Sequence, residues 1–498
     1  MGIVSEYIRE QTRYTKQELA EKFKLSYMET DTLIRNLKSV GILYSVNNKS
    51  GQTELSELLD SDLVVTDEIS DQCLYVFKYV GIIAVGNSVI KCFPKYLSVY
   101  SEENIKKNIV PLKEMQQVIK VLNRYAAKEQ IVNMYNGDSR DMRFNELAVI
   151  LHILNDYFEY GLYVNDDEII ESNGEGAILW DKTINEGFAF IQDNVPYYLD
   201  VYTRRTVDNE NDFFQRLHTI VLTLCSKQLI DSGLMELFEM EPLDLSDEKI
   251  SDLGEVEYIL YRLQSELNIQ FNTRKQLLLK TIYTYLAQER AKEGTYGLSL
   301  FGTNSFHRVW EQVCADVFDN KLETKLKYIN VPNDISSVYD KECTLKSLIE
   351  KPHWFGYSEN SGKYYQTKDT DDTLIPDLIS VYYNEDKAHF AIFDAKYYCI
   401  LLRENEPPIN QPGVGDITKQ YLYQLAYKKF VKDAGIDCVT NCFLMPTQGE
   451  EVIKCGLAKM DMLNSLGLEP IQIRLLPARK MFDFYLNRET IKITELDL

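Results

Sequence analysis

Two aspartates and a lysine at short spacing are the residues of this chain best suited to chemistry. Asp377 follows Leu374-Ile375-Pro376, and Asp394 and Lys396 flank Ala395 in the segment Phe393-Asp394-Ala395-Lys396. Two carboxylates held side by side can share a hard divalent cation such as Mg²⁺, which takes oxygen ligands and keeps several waters. Such a cation lowers the pKa of a bound water and offsets charge on a phosphate, which is what phosphodiester hydrolysis needs. An ammonium beside it would hold the attacking water and balance charge in the transition state. Burying two like charges together is costly without a cation, which favours metal over a purely structural role.

The elements around these residues must bring them to one face. Leu378 to Tyr383 and Ala388 to Tyr398 read as strands joined by Asn384-Glu385-Asp386-Lys387. If Tyr383 pairs with Ala388, the ladder sets Asp377 opposite Asp394, with Cβ atoms about 5 Å apart. Period-2 alternation returns Lys396 to the same face. Pro376 offers no backbone donor, consistent with the start or edge of a strand. Upstream, Phe306, Val309, Trp310, Val313 and Val317 make a helical apolar stripe with Glu311 at its edge. Downstream, Pro412-Gly413-Val414-Gly415 reads as a loop and Asp416 as an N-cap. A helix from Ile417 to Lys432 follows, with Gln420 and Gln424 one turn apart.

Asp377 after Pro376, with Asp394-Ala395-Lys396 on the next strand, resembles the PD-(D/E)xK nuclease signature. The resemblance implies a helix, a three-stranded meander, a second helix and a further strand, here Cys438 to Met445. It also implies that Asp377 and Asp394 bind Mg²⁺, that Glu311 on the first helix assists as a metal ligand, and that Lys396 positions the water. Gln420, and less surely Gln424, would contact substrate or site. More narrowly, three segments resemble the LlaJI-type restriction endonucleases and, less closely, the McrC nuclease subunit. They are Gly86 to Tyr96, Gly174-Glu175-Gly176 with Trp180-Asp181-Lys182-Thr183-Ile184, and Asp416 to Gln424. That likeness implies a restriction or defence component in a prokaryotic cytoplasm. Its substrate would be double-stranded DNA, its products would carry 5′-phosphates, and its partner would be a separate McrB-like AAA+ GTPase. Consistently, the chain has no G-x-x-x-x-G-K-[S/T] loop; Ser361-Gly362-Lys363-Tyr364 puts Tyr364 where that motif needs Ser or Thr.

Composition narrows the alternatives. A net charge of −22 argues against broad, non-specific nucleic-acid binding, which needs local Lys and Arg. Two stretches are locally basic: Lys91 to Lys128, and the helix bearing Lys419, Lys428, Lys429 and Lys432. Nine scattered cysteines without a CxxC pair suit reduced thiols in a cytosol. No apolar run reaches the roughly 18 residues of a membrane span, and the N-terminus carries no signal pattern. The five histidines are dispersed, with His152 and His218 in apolar helical surroundings, and read as core residues. Asp181 and Lys182 have no second carboxylate at a strand partner and read as structural.

At 498 residues the chain accommodates about three domains. Residues 1–52 resemble a winged helix-turn-helix: Thr15 with Glu18 forms a capping box, Ser26 caps a second helix, and Asn47 to Gly51 make the wing. The second helix carries Arg35 and Lys38, candidate DNA contacts, beside Glu29 and Asp31. Residues 53–293 read as a mainly helical middle domain with a small β region, for DNA or a partner. Residues 294–498 read as a PD-(D/E)xK restriction-endonuclease-like domain. The class is thus a multidomain α+β or α/β protein, with homo-oligomerisation left open. Two other readings remain: a non-catalytic DNA-binding protein worked by the winged helix, and a GTPase-activating scaffold with a vestigial nuclease fold.

Overall fold

A computed structural model describes residues 3–46, 63–64, 73–128, 135–136, 143–164, 166–192, 195–208, 212–291, 298–368 and 373–498. The chain forms two compact units. One comprises residues 1–3, 84–87 and 133–300; the other comprises 4–83, 88–132 and 301–498 and holds Asp377, Asp394 and Lys396. Among the described residues, no helix is long and apolar enough to cross a membrane.

The site-bearing unit begins with strand β1 (Val4–Arg9) and helices α1 (Lys16–Phe23) and α2 (Tyr27–Ser39). Both helices start where the sequence supplies a capping box. Thr15 and Ser26 accept from the N–H groups of Glu18 and Glu29, whose carboxylates accept in turn from the cap backbone. This pairs donors that every helix start leaves over. Strand β2 (Leu43–Val46) follows and pairs antiparallel with β3 (Leu74–Phe77). The expected wing at Asn47 to Gly51 lies outside the described residues. β1 pairs in parallel with β4 (Ser88–Phe93), and helix α3 (Leu112–Lys128) carries Lys113, Lys120 and Arg124.

The C-terminal part opens with α4 (Phe306–Val317), whose Phe306, Val309, Trp310, Val313 and Val317 are all buried. Burying side chains of this size stabilises by roughly 1.5–3 kcal/mol each, and this fixes the rotation of α4. Strands β5 (Phe355–Ser358) and β6 (Lys363–Gln366) pair with each other in a two-stranded sheet of their own. Strands β7 (Leu378–Asn384) and β8 (Lys387–Ala395) form the expected hairpin, Tyr383 facing Ala388 and Leu378 facing Phe393. Glu385 and Asp386 at its turn both have positive φ, the backbone that a tight hairpin with right-handed twist requires. Helix α5 (Val414–Ala434) follows, then β9 (Cys438–Thr447), β10 (Ile453–Ala458), β11 (Ile471–Pro477) and helix α6 (Ala478–Asn487). The five-stranded sheet has the order β7-β8-β9-β11-β10. Ile379, Phe390 and Ile392 of the hairpin pack with Tyr427 and Phe430 of α5.

Two details depart from expectation. Two strands of this sheet, not three, precede α5. β5 and β6 pair only with each other and leave Phe355, Tyr357, Tyr364 and Tyr365 exposed. The cap of α5 is Gly413, which places Asp416 inside the first turn.

Directly after Lys396 the chain is tied to the N-terminal part of the same unit. The Tyr397 hydroxyl donates to Glu10 Oε2 at 2.6 Å, and the Lys95 backbone N–H donates to that hydroxyl at 3.2 Å and to Glu10 Oε2 at 3.3 Å. All three residues are buried.

The other unit is mainly helical, built on Glu146–Tyr160, Phe213–Asp231, Val256–Ile269 and Thr273–Ala291, with the antiparallel strands Asp166–Ser172 and Tyr202–Asp208. The last two of these helices are separated near Gln270, where the Asn272 side chain accepts the Lys275 N–H at 3.1 Å and starts the second of them. Asp181 and Lys182 lie on the short helix Trp180–Glu186, and Lys182 pairs with exposed Glu186 at 3.8 Å. His218 is fully buried, and its Nδ1 accepts the Tyr163 N–H at 3.0 Å, so the ring is held neutral. Burial lowers its pKa from 6.5 to about 4.

Two outcomes follow. Tyr397→Phe removes the donor from a buried carboxylate and should cost about 1–3 kcal/mol, read as a lower urea midpoint. An unchanged midpoint would show that the link is not formed. As pH falls below 6.5 the unfolded chain protonates His218 first, so this residue should withdraw up to about 3 kcal/mol of stability by pH 4. His218→Asn, with an acceptor but no titration, should flatten that part of the urea-midpoint profile.

Candidate active site

The site lies where the ends of β7 and β8 meet α4 and the start of α5. Asp377 stands one residue before β7, and its Oδ2 accepts the Ala395 N–H at 2.9 Å, a bond that crosses to β8 beside Asp394. Asn320 clamps the strand start. Its Nδ2 donates to the Asp377 carbonyl at 2.9 Å, and its Oδ1 accepts the N–H groups of Ile379 and Leu322 at 3.1 and 3.0 Å. β8 is held from the other side by parallel pairing, Asp394 facing Phe443 and Ala395 facing Leu444. The Leu444 carbonyl also accepts from the Lys396 N–H at 2.9 Å and from Trp310 Nε1 at 3.1 Å. One carbonyl thus joins the lysine's backbone to the helix that bears Glu311.

Lys396 Nζ lies 3.0 Å from Asp394 Oδ2 and 3.1 Å from Asp416 Oδ1. Burial pulls this ammonium's pKa down, but Asp394 and then Asp416 more than offset that and leave it raised. The lysine is therefore charged at neutral pH. Since its folded pKa lies above the unfolded value, the pairing stabilises at every pH below the ordinary lysine range and is lost only in alkali. Asp377 is raised above the carboxylate range by burial, by its hydrogen bond with Asp394 and by the charges of Asp394 and Glu311. Glu311 is raised by burial, against the pull of Lys396. Two carboxylates that close need a shared proton or a cation between them. Among the described residues, no three His, Cys, Asp or Glu side chains form a ready-made metal cage. The donors that do converge are carboxylate oxygens, which fit a hard cation and not a soft one.

A cavity of about 830 Å³ opens beside the site, lined by Asp377, Glu311, Asn320, Arg308, Arg124 and Arg488 among others. Asp394 is 4 % exposed and does not line it. Carboxylates outnumber arginines in its lining, with Asp316, Asp319, Glu323 and Glu489 joining Asp377 and Glu311. His307 on α4 has its pKa lowered by burial and by the charges of Arg308, Lys78, Lys95 and Lys396.

The structure thus brings Asp377, Asp394, Lys396 and Glu311 together. Gln420 is fully buried on α5 and donates from Nε2 to the Ile392 carbonyl at 3.1 Å, two residues before Asp394. Gln424 is also buried, its Oε1 accepting the Glu469 N–H at 3.0 Å. Lys419 is exposed on α5. Arg35 is exposed on α2, and Lys38 on the same helix lies over the Tyr75 ring at 5.6 Å; neither lines the cavity. Asp416 is the member that sequence reading assigned elsewhere. Its place three residues into a helix after a glycine loop fits an N-terminal acid equally well, and its partner lies twenty residues away.

A sequence model described as LlaJI restriction endonuclease matches residues 79–338 and 335–478, and the chain belongs to that family. It is similar to the protein described as type II restriction enzyme BsuMI component YdjA of Bacillus subtilis strain 168, with 27% identity over 426 residues, 84% of this chain and 83% of that one. Among solved structures it is similar to a half-complex from the tetradecameric assembly of Thermococcus gammatolerans McrB AAA+ hexamers with bound McrC. That match covers 97% of this chain and 99% of the other at 14% identity, with a TM-score of 0.36.

Removing one of the two anions on Lys396 should lower its pKa. Asp416→Asn is expected to move the Nζ titration toward the ordinary lysine value in an NMR titration, with at most about 1 kcal/mol lost in stability because Asp416 is partly exposed. An unmoved titration would mean that Asp394 alone holds the ammonium.

Proposed function

We propose that this chain is the DNA-cleaving subunit of a restriction system, a Mg²⁺-dependent endonuclease that hydrolyses phosphodiester bonds and leaves 5′-phosphates. The observation that carries it is the convergence of Asp377 and Asp394 on one hairpin end with Lys396, next to a cavity lined by Glu311. Membership of a restriction endonuclease family supports the same reading.

Asp377 and Asp394 would hold Mg²⁺, with Glu311 as an additional oxygen donor at the cavity wall. When bound, the ion would acidify a water and offset charge on the scissile phosphate. Lys396 acts as a charged donor, not as a base: fixed between Asp394 and Asp416, it orients the water and faces the charge that grows on the phosphate. Asp416 keeps it aimed. Gln420 acts through the strand, pinning Ile392 and hence the approach to Asp394. Asn320 does the same for Asp377. Lys419, Arg35 and Lys38 remain candidates for DNA contact, the last two through a winged-helix reading of residues 1–52; Gln424, buried against the Glu469 N–H, does not.

A separate McrB-like AAA+ GTPase is the proposed partner, since the chain has no phosphate-binding loop of its own. Asp394→Asn should lower plasmid cleavage by on the order of 10³-fold or more in the presence of Mg²⁺ and partner, with DNA binding retained. Cleavage equal to that of the parent protein would falsify the nuclease assignment. GTP turnover by the mixture without any nicking by the parent protein would favour the scaffold reading.

A further inference from the structure

Two stretches of this acidic chain carry cations and no carboxylate: residues 73–101, with Lys78, Lys91 and Lys95, and residues 294–310, with His307 and Arg308. The fold brings them together at the start of α4. Gly81, on the strand Val80–Val85, has φ +139°, and a Cβ there would overlap the Phe301 carbonyl oxygen. Gly302 has φ +150°, and a Cβ there would overlap the Val80 carbonyl oxygen. Only glycine lets two backbones approach so closely in this conformation. Lys78 stands three residues before Gly81, and α4 begins four residues after Gly302.

Lys95 joins them from a third direction. Its ammonium lies 4.6 Å from the Tyr397 ring and 5.6 Å from the Tyr398 ring, the two residues after Lys396. The Tyr397 ring in turn meets that of Phe306, the first residue of α4, at 5.2 Å. Lys78, Lys95, Arg308 and Lys396 are the charges that weigh most on His307, and all are cations. His307 and Arg308 keep exposed surface, Lys78 is half-buried and Lys95 is buried. The first three can meet a ligand, and Lys95 adds charge from behind. The carboxylates at hand are already engaged: Glu10 accepts from Tyr397 and from the Lys95 N–H, and Asp394 holds Lys396. Ser305 makes no side-chain cap on α4, and the first turn of that helix holds no acidic residue, whereas α1 and α2 each place a glutamate there.

The position beside the site says which anion fits. Arg308 precedes Glu311 by three residues, about 4.5 Å of helix rise. Phosphates on one DNA strand repeat every 3.4 Å or so along the duplex axis. A strand with one phosphate at Asp377 and Asp394 therefore carries a neighbouring phosphate to the first turn of α4. Arg308 also lines the cavity, but the rest of that lining has more carboxylates than arginines and is the poorer path for a polyanion.

We propose that Arg308 and Lys78, with His307 as a further donor, seat the DNA phosphate next to the one to be cut, and that Lys95 supports this seat with its charge. This rests on the nuclease reading, which brings the strand to Asp377. The test uses the full chain with Asp394→Asn, so that binding is read without cutting, and a labelled duplex of mixed sequence. Arg308→Gln and Lys78→Gln should each lower the slope of log affinity against log salt by about 1. Together they should weaken binding by about 10-fold or more at low salt. Arg308→Lys keeps the charge and should restore the slope, with the urea midpoint unchanged in both Arg308 variants because the side chain is exposed. Arg488→Gln removes the same charge from the cavity lining and should leave the slope as it was. An unchanged slope in Arg308→Gln would overturn the seat, and so would an equal fall in Arg488→Gln, which would reduce the effect to overall charge. Loss of polyglutamate binding with DNA affinity intact would assign the cations to an acidic protein and overturn it as well. The two readings separate when Asp394 is restored. A lowered slope in Arg308→Gln with a parent protein that never cuts leaves the phosphate seat standing and removes the nuclease; a cutting parent whose variants bind DNA unchanged does the reverse.

Discussion

Everything around the site serves one electrostatic constraint: two carboxylates, the buried Asp394 and the half-buried Asp377, are held together at the edge of a cavity. Like charges at that distance resist burial, and the fold meets the cost with specific partners. The Ala395 N–H is given to Asp377, the Lys396 ammonium to Asp394, and Asp416 closes the row on the far side of the lysine. Alternating signs along Asp394, Lys396 and Asp416 keep the lysine charged, which fits a role as donor and counter-charge. The raised pKa values of Asp377 and Glu311 express the part of the cost that remains and that a hard cation would relieve.

The scaffold holds this arrangement through backbone bonds. Asn320 clips the start of β7, Gln420 clips β8 at Ile392, and the Leu444 carbonyl joins Lys396 to Trp310 on α4. Side chains fixed by backbone partners keep their geometry without loops having to order first, which is the preorganisation that electrostatic catalysis needs. Tyr397 extends the frame to Glu10 and Lys95, so the residue after Lys396 is held by the other end of the chain. A disturbance in the N-terminal stretch therefore has a short physical route to the lysine.

The chain is acidic overall, yet several cations act on one histidine beside the site. Lys78, Lys95, Arg308 and Lys396 act together on His307, while the cavity carries Arg124, Arg308 and Arg488 beside a larger set of carboxylates, among them Glu311, Asp316, Asp319 and Asp377.

What could be read in the residues themselves was local. Alternation and a four-residue turn sufficed for the register of β7 and β8, because period 2 leaves one register that buries Ile379 and Ile392 while aligning Asp377 with Asp394. Capping boxes located α1 and α2, since Thr15 and Ser26 satisfy donors within three residues. The apolar stripe of α4 set Glu311 at its edge for the same reason of short range. Tertiary structure decided the rest. Asp416 became the second partner of Lys396 instead of a cap because α5 packs its first turn over the end of β8. Gln420 turned inward to a strand carbonyl because its face of α5 lies on the sheet. β5 and β6 pair only with each other, outside the five-stranded sheet. The chain alone determined which residues could act; which of them meet, and which serve only to hold the others, was decided by contacts between residues far apart in sequence, whose energies no local pattern encodes.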